Sequence, residues 1–159
     1  MSLSQNLSKD KPYKEIIDEA KALLTGRWIT DLSNLSALLM SSVPDINWVG
    51  FYLIDNTNTL WLGPFQGLPA CTMIPLSKGV CGAAAAQLKT MVVEDVDQFP
   101  GHIVCDSRSK SEVVVPIIKN NQLVGVLDVD SALFNRFSPK EVELFEAVVQ
   151  LLQNTDYKI

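Results

Sequence analysis

Two runs of sequence, Glu112–Ile118 (EVVVPII) and Gln122–Asp130 (QLVGVLDVD), flank the tripeptide Lys119-Asn120-Asn121. Both are rich in β-branched residues, and Asn tolerates the left-handed backbone that a tight turn between strands demands. A hairpin here commits the chain to an antiparallel sheet. Such a sheet is not stable as a lone hairpin, so the rest of the chain must supply more strands and a cover.

The remaining pattern supplies both. Asn47–Asp55 (NWVGFYLID) is aromatic and β-branched and stops at the polar turn Asp55-Asn56-Thr57-Asn58; Leu60–Gln66 is its return strand. Met91–Glu94 is a further short strand. Tyr13, Ile16, Ile17, Ala20, Leu23 and Leu24 recur at helical spacing and predict an amphipathic helix over about 11–24. A second apolar series, Ile29 to Leu39, ends before Pro44, which discourages continuation. Gly79–Leu88 (GVCGAAAAQL) predicts a short Ala-rich helix. Ser138-Pro139-Lys140-Glu141 places Ser at N-cap, Pro at N1 and Glu at N3 of a last amphipathic helix. The expected fold class is α+β: a central, largely antiparallel sheet at about 45–131, flanked by N-terminal helices at about 11–42 and a C-terminal helix at about 139–154.

With 159 residues, 47% of them hydrophobic and 19% charged, the chain is expected to form one domain over 1–159. A net charge of -5 with scattered basic residues argues against nucleic acid as a partner. Met1–Pro12 is polar, with no apolar stretch of signal-peptide type, and no run is long enough for a membrane span. A cytoplasmic location is the expectation. There the three cysteines are expected to be reduced at rest, and an odd number leaves one thiol over in any intramolecular pairing.

Those cysteines are the first candidates for chemistry. Cys71 lies in a loop after Pro69, and Cys81 sits near the start of the Ala-rich helix. Cys105 lies in the long loop 95–110, three residues after His102 and beside Asp106. Free cysteines often pack as small hydrophobes, but the polar loop around Cys105 argues for a nucleophile there, with Cys71 or Cys81 as its partner. A zinc site built from Cys71, Cys81, His102 and Cys105 is disfavoured, because the usual short Cys-x2-4-Cys pairing is absent. His102 alone is assigned no role.

The second candidate group is acidic. Alternation along Leu123–Asp130 places Asp128 and Asp130 on one face and Leu127 and Val129 on the other. Glu112 stands in the partner strand, in a run that is otherwise apolar. Lone strand carboxylates usually face solvent. Three on paired strands repel one another, which favours protonating one or recruiting a cation such as a substrate ammonium. Trp48 and Tyr52, four apart in one strand, share a face and either fill core or line an apolar pocket.

Taken together, Pro64-Phe65-Gln66-Gly67, Ala70-Cys71, Gly79-Val80-Cys81-Gly82, Gly101-His102-Ile103-Val104-Cys105-Asp106 and the strand Gly125–Ser131 resemble the free methionine-(R)-sulfoxide reductases. These are single GAF-domain enzymes, and the resemblance runs from about Tyr13 to Leu152. It implies a GAF-like fold and reduction of free L-methionine-(R)-S-oxide to methionine, with thioredoxin as external reductant and no bound cofactor or metal. Cys105 matches the family's nucleophile, and Cys71 and Cys81 its resolving positions. Glu112, Asp128 and Asp130 match the carboxylates that hold the substrate amino group. Trp48 and Tyr52 match the aromatic wall against its methyl group. A homodimer is an expectation for such a domain. The alternatives are a GAF module that senses a small molecule without chemistry and a cysteine-based redox sensor, which would not need the acidic trio.

Overall fold

The computed structural model describes residues 11–158; Met1–Asp10 of the polar N-terminus, like Ile159, lie outside the described residues. Helices α1 (Tyr13–Leu23) and α2 (Trp28–Ser42) come first, followed by strands β1 (Trp48–Ile54), β2 (Thr59–Gln66) and β3 (Met73–Pro75). Helix α3 (Gly79–Gln87), strand β4 (Met91–Val93), a single 3-10 turn at Val96–Gln98, strands β5 (Ser111–Lys119) and β6 (Gln122–Ser131), and helix α4 (Pro139–Asn154) complete the order. The fold class is therefore α+β, as expected. One strand was not expected: β3 has only three residues and ends at Pro75, too short for an alternating pattern to register.

The six strands form one sheet in the order β3-β2-β1-β6-β5-β4, with every neighbouring pair antiparallel. The β5–β6 hairpin closes through Asn120 and Asn121, with φ of 52° and 62°. Two successive positive φ values are the backbone of a type I′ turn, whose twist matches that of the strands, and Asn tolerates them.

The period of two along each strand sorts side chains between two cores. Val49, Phe51, Val113, Val115, Ile117, Leu127 and Val129 face α1, α2 and α4 in the larger one. Phe145 of α4 is fully buried there, and truncating a side chain of that size to Ala costs about 3–5 kcal/mol. The sequence signal for the start of α4 is realised in part by the Glu141 carboxylate, which accepts the Ser138 N–H at 2.8 Å. Trp48, Tyr52, Val114 and Val126 face the other way, toward α3 and the loop before β5. Asp128, Asp130 and Glu112 lie on this second face too, in register with Gly50, Trp48 and each other. The cover on that side is one short helix and a loop. That asymmetry leaves room for a cleft.

Candidate active site

The floor of the cleft is set by strand pairing. Glu112 lies directly opposite Asp130 across β5 and β6, and Asp128 follows two residues back on the same face. Gly50, paired with Asp128, carries no side chain for a physical reason. A Cβ there would lie 2.3 Å from the Phe65 Cβ and 2.8 Å from the Trp48 ring. The wall comes from the N-terminal end of α3 with the preceding Lys78, and from the loop carrying His102, Cys105, Asp106 and Ser109. Together they form a narrow cleft of about 30 Å³, bordered by Tyr52, Cys81, Cys105, Glu112, Asp128 and Asp130 among others.

Loop 95–110 is tied at both ends. The Val96 N–H donates to the Lys110 carbonyl at 2.9 Å, and the Lys110 N–H donates to Ser131 at 2.7 Å. Asn47 braces its middle by donating from Nδ2 to Asp106 Oδ2 and to Ser109 Oγ, each at 3.2 Å. Arg108 forks onto the same Asp106 carboxylate, with Nη2 to Oδ2 at 2.7 Å. Hydrogen bonding from Arg108 outweighs burial and holds the Asp106 carboxyl down at about 2.

Of the two partners expected for Cys105, Cys71 is the one bonded to it in a disulfide, with Cα atoms 5.2 Å apart, and Cys81 remains a free, buried thiol. A Cα separation in that range is what a disulfide needs, and no fixed sequence spacing announces it across 34 residues. The two halves of the bond stand differently. Cys105 borders the cleft, whereas Cys71 is not among its lining residues.

Trp48 and Tyr52 do share a face, but only Tyr52 lines the cleft. Trp48 stands behind it, stacked on Tyr52 and on Phe65 with centroids 5.9 and 5.3 Å away. The Trp48 Nε1–H donates to the Leu68 carbonyl at 3.1 Å, so the ring is satisfied and fixed. Lys78, Asp106 and Ser109 line the cleft without having been singled out as site residues, and so does His102, to which the sequence assigned no role. Lys78 carried the one readable signal, a cation placed just before a helix start with Gly79 after it.

The electrostatics follow from packing three acids together, two of them buried. Burial, then repulsion from Asp128 and Asp130, raises the Glu112 carboxyl well above its ordinary range. Burial, then Asp128 and Asp106, does the same to Asp130. Asp128 is also raised by burial, but hydrogen bonds from Glu112 and Cys81 pull it back. All three carboxyls are thus pushed toward their protonated forms, with Asp128 pulled back by its hydrogen bonds. Cys81 donates its S–H toward Glu112 Oε1 at 3.9 Å, and burial, followed by the neighbouring acids, pushes its thiol up. Oδ1 of Asp128 is buried without a hydrogen-bond partner. A site of this kind brings carboxyls that can attract a cation or hold a proton beside a disulfide whose Cys105 half stands at the rim.

Comparison with known proteins places this arrangement among relatives. Residues 28–155 match the GAF domain family. A protein of Escherichia coli named free methionine-R-sulfoxide reductase is 45% identical over 158 residues, covering 96% of this chain and 95% of its own. One of the same name from Saccharomyces cerevisiae is 41% identical over 164 residues, covering 98% and 91%. The solved structure of fRMsr of Staphylococcus aureus in complex with its substrate superposes with a TM-score of 0.86 at 47% identity, covering 92% of this chain and 97% of that one.

Proposed function

Because the chain belongs to the GAF domain family and, within it, to the free methionine-R-sulfoxide reductases, we propose that its cleft binds free L-methionine-(R)-S-oxide and that Cys105 reduces it. The activity is that of an oxidoreductase acting on the free amino acid, with methionine as product. No described helix is long and apolar enough to cross a membrane.

In this reading the substrate ammonium is held by Asp128, whose unpartnered oxygen needs a donor, with Glu112 and Asp130 beside it. Tyr52, braced by Trp48, is the wall against the methyl end. The Cys105 thiolate attacks the sulfoxide sulfur. Sulfoxide oxygen is a poor leaving group unless protonated, and Glu112 or Asp130, kept neutral by burial and neighbouring acids, supplies the proton. The hydroxyl then passes from the substrate sulfur to the Cys105 sulfur as the sulfur–sulfur bond breaks, methionine departs with that bond's electron pair, and Cys105 is left as a sulfenic acid. The Cys71 thiol then displaces that oxygen as water and forms the disulfide. An external dithiol protein of the thioredoxin type restores both thiols by exchange and is itself oxidised.

One observation carries the proposal: a cysteine already bonded to a second, non-lining cysteine borders a cleft floored by three carboxyls, two of them buried. A redox sensor needs the first half of that arrangement and not the second. The test is turnover of the separated R and S epimers of free methionine sulfoxide with a thioredoxin system. R alone should be consumed, and Cys105→Ser should abolish it. Turnover of S alone, or of peptide-bound sulfoxide alone, would overturn the assignment.

A further inference from the structure

Cys81 takes no part in the disulfide and none in the reaction just described. It is 3% exposed, and its Sγ, one Glu112 oxygen and one Asp128 oxygen all lie within 4.8 Å of one another. Asp128 is itself only 6% exposed, and its Oδ1 has no hydrogen-bond partner. All three residues border the cleft, so a further position around their common centre opens to it.

A substrate ammonium accounts for the oxygens of this group but not for the sulfur. An ammonium donates well to carboxylates, whereas a thiol is a weak acceptor. One thiolate and two carboxylates are instead a donor set for a borderline-soft divalent cation, with the fourth position left to water or ligand. Tetrahedral zinc with its usual bond lengths places sulfur and oxygen ligands about 3.5 Å apart. The Cys81 Sγ to Glu112 Oε1 separation of 3.9 Å is close to that edge.

We propose that Cys81, Glu112 and Asp128 form a binding site for a thiophilic divalent cation of the zinc class, and that this cation competes with substrate for the cleft. Binding releases the Cys81 S–H proton and the proton held on the Glu112 carboxyl to solvent in exchange for sulfur–metal and oxygen–metal bonds, with no change of oxidation state. The ligands do not include Cys71 or Cys105, so the site exists while those two are oxidised. Competition rests on the reading that substrate places its ammonium on the same carboxylates. The metal site does not.

The experiment titrates the fully oxidised protein with Co2+, read by absorbance, and with Zn2+, read by calorimetry. One equivalent should bind, and Co2+ should develop the charge-transfer absorption of a thiolate ligand. In Cys81→Ser that absorption should vanish and Zn2+ affinity should fall at least about tenfold, the scale on which losing an interaction at a metal site is felt. Asp128→Asn, which keeps the thiol and the side-chain volume, should weaken Zn2+ by a similar factor and serves where the serine variant does not fold. An oxidised wild type without the thiolate band, or an affinity unchanged in Asp128→Asn, overturns the site. Methionine sulfoxide should raise the apparent Kd for Zn2+; an unchanged Kd overturns the competition. Failure to turn over methionine sulfoxide at all would sink the functional reading while leaving the metal titration as it stands.

Discussion

The hydroxyl of Tyr52 donates a hydrogen bond of 2.9 Å to the backbone carbonyl of Cys71. A side chain of the cleft wall thus anchors the segment that carries the cysteine lying outside the cleft. Tyr52→Phe keeps the ring and removes only the anchor. Stability should fall by about 0.5–1.5 kcal/mol, the net worth of such a bond. Methionine release in a single turnover should change little, because Cys105 and the acids are untouched. Steady-state turnover should fall about fivefold, equivalent to about 1 kcal/mol in positioning the Cys71 thiol. Rapid-quench and steady-state rates on one preparation check this; an equal loss in both would place the effect in substrate binding.

Cys71→Ser should stop the cycle one step after chemistry. Each chain should release one methionine and then carry a sulfenic acid on Cys105 that a dimedone-type reagent labels. Cys81→Ser should still form the Cys71–Cys105 bond. Reduction of that bond in the native protein reopens a loop spanning 34 residues. Chain-entropy reasoning puts its stabilisation at about 3–4 kcal/mol, so the reduced form should melt measurably lower. Mass spectrometry of labelled peptides and melting curves of the two redox forms are the measurements.

The acidic floor should also shape stability against pH. Glu112, Asp128 and Asp130 have folded pKa values raised, by burial first, above their ordinary values. The native state therefore binds more protons than the unfolded chain between about pH 4 and those raised values. Their contribution is full below about pH 4 and is lost as pH climbs through the folded values. Glu141 acts in the opposite window: hydrogen bonds from Ser138, Arg136 and Tyr13 overcome burial and hold it at about 2. Its stabilisation is present above its ordinary range and lost as pH falls toward that value, as is that of Asp106. His102, lowered by burial, opposes the trio just below 6.5, as one group against three. Urea midpoints should peak on the acidic side of neutrality and decline toward alkaline pH, and Glu112→Gln should flatten the decline. A midpoint rising from pH 5 to pH 8 would contradict the burial of these acids.

What the sequence discloses about this site follows from the range of the interactions. Alternation is a local property, so Leu123–Asp130 alone places Asp128 and Asp130 on one face, and the sheet register then sets Glu112 opposite Asp130. The Asn120-Asn121 turn is likewise local. The Cys71–Cys105 bond and the approach of Cys81 to Glu112 are not. They arise because α3 and loop 95–110 fold over the same half of the sheet, and neither helix propensity nor loop length encodes that docking. Trp48 shows the same limit from another side. The period of two places it on the correct face, but its stacking on Phe65, carried in by β2, keeps it behind Tyr52.

The docking of α3 is itself open to test at Gly82. A Cβ there would lie 2.7 Å from the Pro75 carbonyl and 3.0 Å from the Ser77 N, both backbone atoms that cannot turn aside. Helix propensity favours Ala over Gly in a helix interior by about 0.5–1 kcal/mol, so propensity alone expects Gly82→Ala to stabilise. Close packing expects the reverse, because α3 must slide off the β3 turn and carry Cys81 and the cleft wall with it. Overpacking of that kind costs about 1–3 kcal/mol, which outweighs the propensity gain. The variant should melt lower than the native protein and bind methionine sulfoxide more weakly. A higher melting temperature with unchanged KM would mean that α3 does not rest on this turn.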